Sequence, residues 1–215
     1  IGGATSGTVT VTHAVAISGT ASELKAALVT PASKVDVSDA AVTISDGDNT
    51  SIAASDLSDI GSATTGTVTV THAINVTGTA DQAVVALHTA GSKVEVTDAV
   101  VTLSDDPDLT ELKQLNAATT GAIKINTQSK TYSGSASDLA AALAGTVTNN
   151  AGAALSGAMT VSDNDNTAVA ATDLSLIGGA TSGTVTVTHA VAISGTASEL
   201  KAALVTPASK VDVSD

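Results

Sequence analysis

The feature that most limits what this chain can fold into is an internal copy. Ile1–Asp39 is identical, residue for residue, to Ile177–Asp215, an offset of 176 (177 − 1). Two identical stretches this far apart must be accommodated by the same architecture twice, which is the signature of a repeat array. A shorter period lies inside the long one. Val42-Thr-Ile-Ser-Asp46 returns as Val101-Thr-Leu-Ser-Asp105, 59 residues on (101 − 42), and as Met159-Thr-Val-Ser-Asp163, 58 further on (159 − 101).

Each of these units divides into two halves with a common grammar. One half runs Thr67–Ala73, Ile74–Gly78 and Thr79–Leu87; the other runs Val35–Asp39, Ala41–Asp46 and Ser51–Ile60. Alternating β-branched residues predict strands, with Val68 and Val70 facing in and Thr67, Thr69 and Thr71 facing out. Thr20-Ala-Ser-Glu23, Thr196-Ala-Ser-Glu199 and Thr79-Ala-Asp-Gln82 read as capping boxes that start short helices. Leu24, Ala27 and Leu28 then make an apolar stripe at helical spacing.

No half-unit carries enough apolar surface to fold alone. The expected fold class is therefore a repeat solenoid, a right-handed parallel β-solenoid with two strands and one short helix per coil of about 30 residues. About seven coils, each rising roughly 4.8 Å, would fit in this chain. It is expected to be one continuous fragment, residues 1–215, with units at about 42–100, 101–158 and 159–215. Residues 1–41 would end a preceding unit of a longer array. No secretory leader is recognised in the sequence. The middle unit is degenerate, with Gly121–Asn126 in place of the Thr-Val-Thr-Val strand.

Composition supports a thin, regular core. Tyr132 is the one aromatic residue, and Trp, Phe and Cys are absent. Val, Ile, Leu and Ala must fill the interior, and no disulfide or thiolate metal site is available. The stacking platforms that single-stranded nucleic acid requires are missing. Eight basic against 21 acidic residues give a net charge of -13. That balance argues against nucleic acid and anionic membrane as partners. No apolar run is long enough to predict membrane insertion.

Three constellations could carry chemistry. The loops with Asp46, Asp48 and Asn49, with Asp105, Asp106 and Asp108, and with Asp163, Asp165 and Asn166 present oxygens suited to a hard cation such as Ca²⁺. They lack EF-hand spacing, and the competing reading is that Asp, Asn and Gly make turns and cap the next helix. Outward rows Thr8, Thr10, Thr12, then Thr67, Thr69, Thr71, then Thr184, Thr186, Thr188 resemble the flat arrays of ice-binding solenoids. Lys34, Asp36 and Ser38 are expected on the same face and would spoil a lattice match. His13, His72 and His189 share one repeat position, where a corner residue is the simpler reading than a metal ligand; His88 stands alone. No catalytic motif is present.

Ala54–Val70, Ala-Ser-Asp-Leu-Ser-Asp-Ile-Gly-Ser-Ala-Thr-Thr-Gly-Thr-Val-Thr-Val, preceded by Val42–Asp46, resembles repeats of very large surface proteins of marine cyanobacteria and related bacteria. The resemblance implies a secreted, cell-surface or extracellular-fibre protein, with calcium as a candidate ligand, and it carries over no catalytic residues. The expected role is a non-catalytic rod or fibre that associates with copies of itself, end to end or laterally. A calcium-stiffened adhesin stalk and an ice- or polysaccharide-binding surface are the alternatives.

Overall fold

A computed structural model describes residues 2–30, 35–206 and 210–213. In chain order the strands and helices are β1 (Val9–Thr10), β2 (Ala16–Gly19), α1 (Ala21–Leu24), β3 (Val35–Asp36), β4 (Ala41–Ile44), β5 (Ser51–Ala53), α2 (Ala54–Ser62), β6 (Val68–Val70), β7 (Asn75–Gly78), α3 (Ala80–Leu87), β8 (Val94–Glu95) and β9 (Val100–Leu103). They continue with α4 (Leu109–Ala118), β10 (Ile123–Ile125), β11 (Tyr132–Gly134), α5 (Ala136–Ala142), β12 (Val147–Asn149), β13 (Met159–Val161), β14 (Ala168–Ala170), α6 (Ala171–Ala180), β15 (Val185–Val187), β16 (Ala192–Ser194), α7 (Ala197–Leu204) and β17 (Val211–Asp212).

This is an α/β fold, and it corrects the expected architecture. Among the described residues it has seven α-helices and parallel sheets whose largest members have five, four and four strands. The expected β-solenoid with two strands per coil is not what forms. One physical reason lies at Ser51–Ile60, the third part of its half-unit, where the expected grammar of two strands and one short helix puts the helix. Ser51–Ala53 is instead a strand, with Ile52 buried opposite Val76, and the helix starts only at Ala54. Ala and Ser are compatible with both states, so the pairing partner decides. A second reason is the weight of the helices. The α2 and α6 helices are nine and ten residues long and bury Leu57 and Ile60, and Leu174 and Ile177. The paired strands also recur at 24 to 27 residues, closer than the thirty expected: Ser51 lies opposite Asn75 (75 − 51 = 24) and Tyr132 opposite Met159 (159 − 132 = 27).

By contacts the chain divides into two compact units. The first is Ile1–Thr102 with Ala118–Gly121, and the second is Leu103–Ala117 with Ala122–Asp215. In the first, β2, β4, β6 and β8 form one parallel sheet. Ile17, Val42, Val68 and Val94 stand side by side in one row of it, and Ser18, Thr43, Thr69 and Glu95 in the next. The apolar row faces a core that includes Leu24, Ile44, Leu57, Ile60 and Ile74. The alternation follows from the pleat, which sends successive side chains to opposite faces.

The second unit repeats the arrangement. Its sheet runs β11, β13, β15, β17. Tyr132, Met159, Val185 and Val211 form the apolar row, and Ser133, Thr160, Thr186 and Asp212 the polar one. Leu112, Leu115, Ile123, Ile125, Leu139 and Leu155 are among its fully buried side chains. The degenerate sequence around Tyr132 thus keeps the row and replaces an aliphatic side chain with the ring.

Candidate functional site

The acidic loops act on the backbone of neighbouring segments. Asp46 Oδ2 accepts from Ala21 N at 2.7 Å, 25 residues back, and Asp163 Oδ2 accepts from Ala136 N at 2.7 Å, 27 back. Each caps the first turn of a helix, α1 or α5, where amides have no intrahelical acceptor. Asp48 Oδ1 and Asp165 Oδ1 accept from Ala73 N and Ala190 N at 3.2 and 3.1 Å. Asp106 Oδ1 takes Thr127 N at 2.7 Å, and Asp108 caps α4 in a reciprocal pair with Glu111, 2.8 Å in both directions. Asn49 and Asn166 hold left-handed turns, with φ of 61° and 60°, a conformation Asn tolerates through its short polar side chain. Asp105 lies at the start of its loop, exposed and engaged.

These carboxylates are engaged singly, each with a backbone amide. A hard divalent cation needs six to eight converging oxygens. Among the described residues no three Asp, Glu or His side chains come together in a way that could hold a metal. The loops bind amides one carboxylate at a time.

The nine threonines of the predicted surface array are all exposed. Structure brings them into rows that are not hydroxyl alone. Thr69 neighbours Glu95, Thr186 neighbours Asp212, and Thr10 neighbours Asp36. Ser38 is exposed in the turn after β3, where its carbonyl accepts from Thr65 N and Thr65 Oγ1 at 2.8 and 2.7 Å. Lys34 lies outside the described residues. His13, His72 and His189 repeat one local contact, Nδ1 lying 3.1, 3.0 and 3.1 Å from Oγ1 of the preceding threonine, and all three are exposed. His88 is exposed at the C-cap of α3.

A buried motif escaped the sequence reading. Thr64, Thr119 and Thr181 are 3, 6 and 2% exposed. Their hydroxyls donate to Ala40 O, Ala99 O and Gly157 O at 2.5, 2.6 and 2.7 Å. Each hydroxyl also accepts, at 3.0 Å, from the amide of a glycine two residues on, Gly66, Gly121 or Gly183. A Cβ at any of these glycines would overlap the same carbonyl. The repeated Thr-[Thr/Ser]-Gly triplet was the available signal, hidden among many other threonines. Lysine recurs in the same spirit: Lys93 Nζ reaches Gly61 O at 3.4 Å and Lys210 Nζ reaches Gly178 O at 3.1 Å.

Tyr132 is 4% exposed, and its hydroxyl is buried without a hydrogen-bond partner. Burial, and then the charges of Asp106, Asp108 and Glu111, push its pKa well above the ordinary phenol value. The hydroxyl therefore stays protonated at neutral pH.

Set against family models, curated proteins and solved structures, the chain matches none.

Proposed function

We propose that this chain is a structural, non-catalytic segment of a repetitive extracellular protein that builds a rod or fibre at a bacterial surface or in a matrix. The observation that carries the reading is that the sequence repeat is also a structural repeat. Val9 lies opposite Val35 and Thr10 opposite Asp36; in the distant copy Val185 lies opposite Val211 and Thr186 opposite Asp212. The register is the same at both places, so this strand pair forms alike in both copies.

Side chains support the same reading. The polar groups with the most specific geometry join one segment to the segment about 25 residues away: Asp46 to Ala21, Thr64 to Ala40, Thr181 to Gly157. Each such bond fixes the next strand in register, and nearest-neighbour coupling of this kind makes stability grow with copy number. Proteins with one, two and three copies of the 176-residue repeat test the role. Negative-stain electron microscopy should show particles that lengthen by a constant increment per copy. Separate beads, or particles whose length ignores copy number, would defeat the reading.

A further inference from the structure

The middle unit lacks a strand that its two counterparts possess. Asp46 is followed by β5 and then by α2, which starts eight residues on (54 − 46). Asp163 is followed by β14 and then by α6, again eight residues on (171 − 163). After Asp105 the helix α4 starts four residues on (109 − 105). The segment that would match Ser51–Ala53 or Ala168–Ala170 is missing, and the short loop Asp106-Pro107-Asp108 runs straight into the helix.

Pairing defines where that strand would lie. β5 runs beside β7, with Ile52 opposite Val76, and β14 beside β16, with Val169 opposite Ile193. Tyr132 is the counterpart of Val76 and Ile193: the three open the matching stretches Val76–Thr79, Tyr132–Ser135 and Ile193–Thr196, each an apolar residue, Ser or Thr, Gly, then the helix-capping Ser or Thr. Its strand β11 pairs with β13 on one side, and among the described residues no strand pairs with the other.

The helices nevertheless sit alike. A Cβ at Gly78 would meet the Ala54 methyl at 3.3 Å, one at Gly195 would meet the Ala171 methyl at 3.0 Å, and one at Gly134 would meet Leu109. Ala54, Ala171 and Leu109 are each the first residue of their helix. So α4 takes the place of α2 and α6, while the buried aliphatic side chain that precedes them, Ile52 or Val169, has no equivalent. Protein interiors do not leave such a volume empty. The side chains around it are larger than their counterparts: Tyr132 against Val76 and Ile193, and Leu109 against Ala54 and Ala171. Tyr132 and Pro107 are both buried. Asp106, Asp108 and Glu111 lie close enough for their charges to act on the phenol, so the ring reaches towards the loop that replaces the strand.

We propose that Tyr132 is a plug: its ring takes the core volume of the missing strand's aliphatic side chain and closes the sheet at β11. The hydroxyl has no hydrogen-bond partner, so the ring acts through its shape. Closure matters because an unpaired edge is a template for a strand of another chain. With the ring in place, the side chain of an added strand has no space to enter. The device is confined to one unit, and it holds or fails apart from the copy-number experiment.

A cycle of two changes in the full chain tests the plug. The first is Tyr132→Ile, which installs the side chain found at Ile193. The second replaces Asp106–Asp108 with the sequence of Gly47–Ala53 and so restores the strand. In the natural loop Tyr132→Ile should lower the thermal midpoint by about 4–8 °C, because the lost ring volume stays unfilled. In the grafted protein the same substitution should leave the midpoint unchanged or raise it, since the grafted isoleucine fills the space and the ring overpacks it. The Ser133 amide points to the edge away from β13, so its hydrogen exchange should slow in the grafted protein. Tyr132→Phe keeps the ring and should hold the midpoint within about 2 °C or raise it, as the unpartnered hydroxyl is removed. A harmless Tyr132→Ile in the natural loop overturns the proposal whether or not the grafted protein folds. Equal losses in both backgrounds, a folded graft with Ser133 exchange still fast, or a Tyr132→Phe loss as large as that of Tyr132→Ile overturn it too.

Discussion

At the scale of single residues, the positions that carry most are small. Gly121 leaves room for Ala99 O to receive the Thr119 hydroxyl, and Thr119 closes the triangle by accepting from Gly121 N. A methyl group there pushes directly on backbone, and backbone cannot swing away as a flexible side chain would. Gly121→Ala should therefore destabilise by about 1–3 kcal/mol. Gly47→Ala, where the added carbon meets nothing, should change stability by less than about 0.5 kcal/mol. Urea unfolding of the two variants side by side measures the difference. The threonines of this motif were legible as residues but not as a site. Thr64 and Thr65 are adjacent and alike, and only the fold shows that one is buried and the other exposed.

At the scale of elements, helix starts were the best-read feature of the sequence. All three predicted capping boxes form: Thr20 with Glu23, Thr79 with Gln82, and Thr196 with Glu199. A cap is local chemistry between residues three apart, so nothing distant needs to be known. Thr196→Ala should cost about 1 kcal/mol. Thr20→Ala should cost less, because Asp46 continues to cap Ala21 N at 2.7 Å. Denaturant midpoints that shift without a change in slope would check both values; equal losses would mean that the Asp46 cap contributes nothing.

The apolar stripe beyond the cap fared worse. Leu24 is 2% exposed, but Ala27 is exposed and Leu28 half-buried. Helical spacing puts these residues on one face without saying how far the neighbouring helix extends along it. The strand at Ser51–Ala53 was missed for a related reason: two small residues around one isoleucine have no preference strong enough to outweigh their neighbours.

At the scale of the whole molecule, charge is the property that reaches furthest. The net charge is -13 at pH 7, so carboxylates dominate the response to acid. The amides and hydroxyls of Thr20 and Thr196 hold the Glu23 and Glu199 carboxyls below their ordinary value of 4.5. Lys113, with Ser135, does the same for Asp138 against 3.8. A lowered folded-state pKa means that the unfolded chain binds more protons, so stability from these groups is present above the ordinary values and lost as pH falls through the folded ones. Thermal melts should show a steep loss below about pH 4.5, and the double variant Glu23→Gln, Glu199→Gln should flatten that slope. An unchanged slope would assign the acid response to other carboxylates.

The identical copies separate what the sequence determines from what the tertiary structure decides. Both copies form the Thr–Glu capping box, both place histidine against the preceding threonine hydroxyl, and both pair their first strand with the one 26 residues on (35 − 9; 211 − 185). These are contacts within the repeated segment, and its sequence was enough to specify them. Yet Gly2–Ala4 is a 3-10 turn while Gly178–Ala180 ends a ten-residue α-helix, and Lys25–Val29 turns as a π-helix while Lys201–Leu204 remains α-helical. Val9 is half-buried and Val185 fully buried. Those outcomes depend on which segment lies against the copy, and a contact made with something outside a sequence cannot be written in that sequence.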